Sequence, residues 1–370
     1  MKLRYKIAGA GLALVAVAVF GSLIALGHTS PCQAAPPLPA GTASMKAAVH
    51  RCYGPPDVIT LEDLPKPIPT DNGVLVRIRA ASVNPLDGHV LSGEPYIMRM
   101  GSLGAPTNVR LGADYAGVVE AVGKSVTRFR PGDEVFGSSS GNWGAFAEYV
   151  SVSEKGGILP KPSNLTFEEA AALPVAAITA LQALRDHGHV RPGQKVLING
   201  ASGGVGTFAV QIAKELGAEV TGVCSTKNVE MVRSLGADHV IDYTREDVTR
   251  GDQRYDVIID NVATHSLLEF RRVMQPNGIL VIVGAGGPGK WIGPFVAPVK
   301  AMLVSPFVSQ EGGMFIANIQ RDDLSFLAGL AQSGKLKSVI DRRYSLQQVR
   351  EAMRYMEQGH ARAKVIVTVP

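Results

Sequence analysis

Lys195-Val196-Leu197-Ile198-Asn199-Gly200-Ala201-Ser202-Gly203-Gly204-Val205-Gly206 is the stretch whose reading decides the fold. An apolar, β-branched run enters a glycine-dense turn, and the turn opens into Thr207-Phe208-Ala209-Val210-Gln211-Ile212-Ala213-Lys214. Val205, Ala209, Ile212 and Leu216 recur at three- and four-residue steps and Gly217 follows, so the spacing predicts a helix with a stop. Gly203 and Gly206 stand where a dinucleotide-binding turn needs its second and third glycines, and Ala201 replaces the first. In such a turn the residues Ala201, Ser202, Gly203, Gly204, Val205 and Gly206 bring bare backbone N–H groups and a helix N-terminus to a pyrophosphate. The plainer alternative is a tight strand-to-helix turn. A second strand, Glu219-Val220-Thr221-Gly222-Val223-Cys224, arrives on schedule for a βαβ unit and favours the cofactor reading.

The exit of that second strand bears on which cofactor. An NAD site carries an acidic residue there for the ribose 2′-hydroxyl. This chain reads Ser225-Thr226-Lys227-Asn228, hydroxyls and a lysine that suit the 2′-phosphate of NADP(H). Ser225 or Thr226 capping a helix from Asn228 is an alternative that can hold alongside it.

At 370 residues and 46% hydrophobic composition the chain has room for two packed units. Three of its 37 basic residues (Lys2, Arg4, Lys6) and none of its 32 acidic ones fall in residues 1–44. The body is therefore close to charge balance, which argues against a nucleic-acid surface. Ile7 to Leu26 is twenty residues without a charge, long enough to cross a bilayer as one helix. Pro31, Pro36, Pro37 and Pro39 make a linker after it. An uncleaved anchor is the favoured reading over a signal peptide cut near Ala34 or Ala35, which would leave a secreted protein. A third is a start at Met45, which would leave a cytoplasmic body. Basic residues ahead of the run predict an outside body, whereas NADPH is an intracellular reductant, so the membrane side stays open. Cys32, Cys52 and Cys224 are widely spaced and are expected to form no disulfide framework.

From Met45 the chain reads as short strands separated by Pro65, Pro67 and Pro69, a mostly β unit. Further on, Thr166 opens a helix with Glu168 and Glu169 in its first turn. Tyr255-Asp256-Val257-Ile258-Ile259-Asp260-Asn261 reads as a buried parallel strand, a helix covers His265 to Met274, and Ile279 to Gly284 is another strand. Ligands of an open parallel sheet sit at the carboxyl ends of its strands, which places Asn261, Val283 and Gly284 near the nicotinamide half. Residues 285–312 are apolar but broken by prolines, so they form no second spanning helix. A substrate wall, a homodimer surface, a membrane-facing patch and plain core packing all stay open for them. Ser345-x-x-Gln348 opens a last helix through Gln358, before a strand from Lys364 to Val369.

Asn84-Pro85-x-Asp87, the run Gly112 to Gly123, Arg130-Pro131-Gly132-Asp133, Gly144-Ala145-Phe146-Ala147-Glu148-Tyr149 and Ala201-x-Gly203-Gly204-Val205-Gly206 follow one another in the chain. Together they resemble the zinc-independent medium-chain dehydrogenase/reductases, nearest the quinone oxidoreductase-like branch. The resemblance runs from about Met45 to the C-terminus. It implies an α/β fold in which a doubly wound Rossmann sheet (166–309) is inserted in a GroES-like, mostly β catalytic domain (45–165), with 310–370 returning to the latter. It places Tyr243 beside the 2′-phosphate pocket; packing against the helix Asn228 to Leu235 is the alternative. Relatives often carry Gly before the lysine equivalent to Lys364. Here Ala363 stands there, and Lys364 is left outside the expected cofactor set.

Where zinc relatives carry Gly-His-Glu this chain reads Gly112-Ala113-Asp114, and no cysteine lies between Cys52 and Cys224. His187 and His189 have no third ligand near them in sequence, so no catalytic zinc is expected. Hydride addition to a simple ketone leaves an alkoxide that wants a metal or a strong acid. Addition to a quinone or enone spreads charge onto a distant oxygen, where hydrogen-bond donors suffice. The expectation is therefore NADPH-dependent reduction of a quinone, enone or related carbonyl. The alternatives are an NAD(P)-dependent alcohol or aldehyde dehydrogenase and a non-catalytic, membrane-tethered NADPH-binding protein. By the resemblance, Asn84 orients nicotinamide or the acceptor oxygen, Asp87 fixes Asn84 or a water, and Tyr96 donates a proton. An Asn-Pro turn for Asn84 and a helix cap for Asp87 are the plainer readings.

Overall fold

The computed structural model describes residues 25–139, 141–283, 289–291, 296, 299–300 and 308–370. In chain order the strands are β1 (Ser44–His50), β2 (Ile59–Pro65), β3 (Gly73–Val83), β4 (Asp114–Val122), β5 (Glu134–Ser138), β6 (Tyr149–Ser153) and β7 (Ile158–Pro160). There follow β8 (Lys195–Asn199), β9 (Glu219–Cys224), β10 (His239–Asp242), β11 (Tyr255–Asp260), β12 (Met274–Ile282), β13 (Glu311–Met314), β14 (Ile340–Ser345) and β15 (Lys364–Thr368). β1 and β2 pair as an antiparallel ribbon, and one sheet runs β14-β15-β3-β4-β5-β7 with β6 also on β3. The other runs β10-β9-β8-β11-β12-β13, and its pairings are parallel.

The two sheets follow from different residue patterns. β3 alternates from Val76 to Ala80, burying Val76, Ile78 and Ala80 and exposing Arg77, and is buried on either side of that stretch. β8 and β11 are apolar nearly throughout and buried, because packed side chains cover both of their faces. On one face helices Pro174–Gln182 and Gly204–Glu215 contribute Ala177, Ile178, Phe208 and Ile212 to a core with Val196 and Ile198. That core also contains Ala80, Ala116, Phe136 and Ile366 of the first sheet, so apolar packing runs unbroken between the domains. Leu197, Ile258 and Leu280 form a second core with Phe270 on the opposite face.

The helix ends expected from the sequence are present. Thr166 caps with Glu169, Ser345 pairs with Gln348, and Gly217 and Gly359 take positive φ beyond their helices. Three expectations change. β13 lies past residue 309 yet pairs with β12, and Leu324 and Leu327 of helix Arg321–Gln332 join the parallel sheet's core. The return to the first domain therefore starts with β14, later than 310. β12 begins at Met274, so Pro276-Asn277-Gly278 sits inside an irregular strand, with Asn277 at φ 63°, and the preceding helix is short. Finally, Cys32 and Cys52 form a disulfide and Cys224 is free and buried. Spacing alone missed that pair because the linker folds back along the ribbon, where Gln33 N donates to Arg51 O.

Among the described residues no helix is long and apolar enough to cross a membrane. The run Ile7 to Leu26 lies outside them except for its last two residues. The disulfide has a direct check. Alkylation of the denatured, unreduced chain should label one cysteine by mass spectrometry, and labelling of all three would contradict the pairing.

Candidate functional site

The glycine turn divides its labour among particular residues. Gly200, at φ 76°, makes the left-handed step of the turn. Ala201 is wholly buried and its amide donates to Val223 O at 2.9 Å. A Cβ on Gly206 would stand 2.1 Å from Gly200 O, so only glycine lets the helix pack against the turn. Gly203 is the N-cap of helix Gly204–Glu215 and offers no capping side chain, so the first-turn amides are left for a ligand. Ser202 O accepts from Ala363 N at 2.8 Å.

At the exit of β9, Asn228 donates to Ser202 Oγ at 3.1 Å and Ser225 Oγ at 3.3 Å. Neither Ser225 nor Asn228 caps a helix with its side chain. Lys227 is exposed, and Tyr243 is 57% exposed rather than packed against the helix that follows Asn228. A carboxylate from the neighbouring strand joins these residues. Asp242 at the end of β10 accepts from Thr226 Oγ1 at 2.5 Å and from Thr244 Oγ1 at 2.7 Å. The Thr226 hydroxyl, followed by the Thr244 donors and Arg245, keeps this carboxyl below its usual range.

At the ends of β11 and β12, Asn261 Nδ2 donates to Asn199 O at 2.9 Å, and Val283 N donates to Asp260 O at 2.9 Å. Gly284 lies outside the described residues. Among the described residues Asn228 Oδ1 and Asn261 Oδ1 are buried acceptors without a partner, a state that costs free energy unless a donor arrives. Two such acceptors at the carboxyl ends of parallel strands, beside a turn that only Gly206 permits, fit a dinucleotide with its hydroxyl and amide donors.

Facing the turn is a buried polar cluster. Asn84 starts helix Pro85–Ser92 and exchanges a capping box with Asp87, whose Oδ2 accepts from Asn84 N at 2.7 Å. The Asn84 amide donates to Asp114 Oδ2 at 3.0 Å and accepts from Lys364 Nζ at 2.6 Å. Asp114 Oδ2 also accepts from Val175 N at 3.1 Å. Asn84, Asp87, Asp114 and Lys364 are at most 2% exposed. Burial pushes the Asp87 carboxyl up to about 7. It also raises the Asp114 carboxyl and lowers the Lys364 ammonium, while the lysine's charge opposes the rise at Asp114. Both Asn84 amide atoms are therefore bonded inside the protein, the oxygen holding Lys364 Nζ. Lys364 lies along the turn, its Cδ 3.4 Å from where a Cβ on Gly204 would be.

Asn84 and Asp87 meet through the helix cap that is the plainer reading of Asp87, while Lys364 and Asp114 were missed as members. A lone acid in the apolar run Leu111 to Val119 was a usable signal, since a buried charge needs a partner. Tyr96 stands apart from this cluster in its contacts: its ring meets Trp291 edge-on at 4.8 Å and lies 4.4 Å from the Arg99 guanidinium. Among the described residues no group of three or more His, Cys, Asp or Glu side chains is placed to hold a metal.

Two predictions follow from the cluster. A carboxyl whose folded pKa is raised stabilises the fold at low pH and loses that contribution as pH rises through the folded value. Between about pH 4 and 7 the wild type should therefore lose up to about 4 kcal/mol relative to Asp87→Asn, read from denaturant unfolding at each pH. Ala363 holds φ 66°, so Ala363→Gly should stabilise the chain by about 0.5–1 kcal/mol; an unchanged midpoint would show that the strain is relieved elsewhere.

Comparison with known proteins agrees with this geometry. Residues 70–163 match the family model for the alcohol dehydrogenase GroES-like domain, and residues 235–367 match that for zinc-binding dehydrogenases. The chain is 34% identical over 344 residues to the mitochondrial NAD(P)H oxidoreductase RTN4IP1 of Mus musculus, covering 80% of this chain and 82% of that protein. It is 33% identical over 339 residues to the chloroplastic NADPH-dependent alkenal/one oxidoreductase of Arabidopsis thaliana, covering 87% and 79%. The quinone oxidoreductase structure from Coxiella burnetii superposes with a TM-score of 0.78 at 31% identity, over 89% of this chain and 100% of that one. The chain belongs to the medium-chain dehydrogenase/reductase family, in its quinone oxidoreductase-like branch.

Proposed function

We propose that this chain is an NADPH-dependent reductase of quinones, enones or related conjugated carbonyls, attached to a membrane by Ile7 to Leu26. The observation that carries the reading is the join between the glycine turn and the buried Lys364–Asn84–Asp114 cluster. It sets a dinucleotide site directly against the catalytic domain. The relatives named for NAD(P)H, alkenal/one and quinone chemistry support the same activity.

NADPH, when bound, supplies the hydride. The amides of Gly204 to Gly206 receive the pyrophosphate at the positive end of the helix. Ser225, Thr226 and Lys227 face the 2′-phosphate, with Arg245 offsetting Asp242. Asn261 Oδ1 and the backbone at Val283 serve the nicotinamide half. Asn84 and Asp114 hold Lys364 against the turn, and Asp87 fixes the start of the Asn84 helix. Because a conjugated acceptor disperses the arriving charge, ordinary hydrogen-bond donors are enough for it.

Purified full-length protein should oxidise NADPH with short quinones and enones; no oxidation across such a panel would remove the reductase reading. Lys227→Ala should raise KM for NADPH about tenfold with little change for NADH. Asp242→Asn should lower KM for NADPH by relieving like-charge repulsion. Parallel shifts with both nucleotides would place the 2′-phosphate elsewhere.

A further inference from the structure

The segment after Pro95 leaves large apolar side chains in water: Ile97 is 53% exposed, Met98 41%, Met100 70% and Leu103 58%. Trp291, packed on Tyr96, adds an exposed ring beside them. Clustered exposure of this kind marks an interaction surface. Beneath it Arg99 is 2% exposed, with its guanidinium over the Tyr53 ring at 4.5 Å and the Tyr96 ring at 4.4 Å. Arg99 Nε and Nη2 donate to Gly93 O and Ser92 O, each at 2.9 Å. Its Nη1 reaches the N-terminal segment, donating to Thr29 Oγ1 at 2.9 Å, His28 O at 3.1 Å and Leu26 O at 3.4 Å. Residues 25–27 are helical, so Arg99 takes up carbonyls that a helix end leaves unpaired. Ser30 N donates to Gly104 O at 2.8 Å, and the Cys32–Cys52 bond fastens the same segment further along.

The apolar run Ile7 to Leu26 therefore ends in the grip of Arg99, under the exposed rim. Twenty residues rise about 30 Å as a helix, the thickness of a hydrocarbon core. The run has no charged position and is apolar on every side, so it lacks the polar face needed to lie along the rim in water. We propose that Ile97, Met98, Met100, Leu103 and Trp291 rest on a lipid bilayer and that the acceptor enters the site from that bilayer as a lipid-soluble quinone. This rests on the reductase reading and on the anchor. The entry side follows from the contact between domains: Tyr96 N donates to Lys290 O at 2.8 Å and Lys290 pairs with Glu94 at 2.9 Å. The rim thus borders the segment that leaves the carboxyl end of β12, where ligands of a parallel sheet sit.

The test uses the full chain in phosphatidylcholine vesicles. With Trp143→Phe, Trp291 is the remaining tryptophan of the two, and bromine-labelled lipid should quench its fluorescence. An unquenched Trp291 overturns the bilayer contact, whether a second copy or the chain's own N-terminal segment covers the rim instead. The combined variant Ile97→Ser, Met98→Ser, Met100→Ser and Leu103→Ser should keep its rate with a water-soluble short-chain quinone. With an isoprenoid quinone dissolved in the vesicles the rate should fall about tenfold. An equal effect on both quinones, or none on either, overturns entry through the rim. If the wild type reduces neither quinone, the reductase reading fails, and the quenching alone still supports or overturns the bilayer contact.

Discussion

The architecture hangs on two consecutive residues near the C-terminus. Ala363 is bridged to Gly203, its amide donating to Ser202 O, while Lys364 reaches the other way to Asn84. One short strand thus fastens the turn of the parallel sheet to the first helix of the catalytic domain. Lys364 is buried among two carboxylates and an amide, and a buried charge is stable only with such partners. These side chains all belong to the catalytic domain, so the join to the parallel sheet is the backbone contact of Ala363 with Ser202, set directly beside this buried cluster. The apolar core shared by Ala80, Phe136, Ile198 and Ile366 surrounds this contact and keeps water out.

Much of the fold was legible because its determinants are local. The turn from Gly200 to Gly206 and the caps at Thr166 and Ser345 all depend on neighbours within a few residues. The catalytic cluster was legible only in half. Asn84 and Asp87 form a local capping box, but Lys364 lies 280 positions from Asn84, and no periodicity connects them. Ala363 stands before that lysine where relatives often carry glycine, and in the structure the alanine adopts the left-handed angle a glycine would have taken. Asp242 was passed over because its role comes from the pairing of β10 with β9, which puts it beside Thr226. The cysteine pair is likewise a product of how the linker folds back on the ribbon.

Two ends of the molecule share one logic. At the turn, unpaired amides and the acceptors of Asn228 and Asn261 await a ligand's donors and charge. At the rim, Arg99 turns its donors inward onto backbone oxygens and Thr29, and large apolar side chains stand exposed above it. The first arrangement suits a polar nucleotide and the second a hydrocarbon surface, so the donor and the acceptor approach the site through chemically distinct entrances.

The most direct measurement is a calorimetric titration of the full chain with NADPH and, separately, with NADH. The account requires saturable NADPH binding in the micromolar range, with NADH weaker by about tenfold or more. Absence of binding by either nucleotide at millimolar concentration would contradict it.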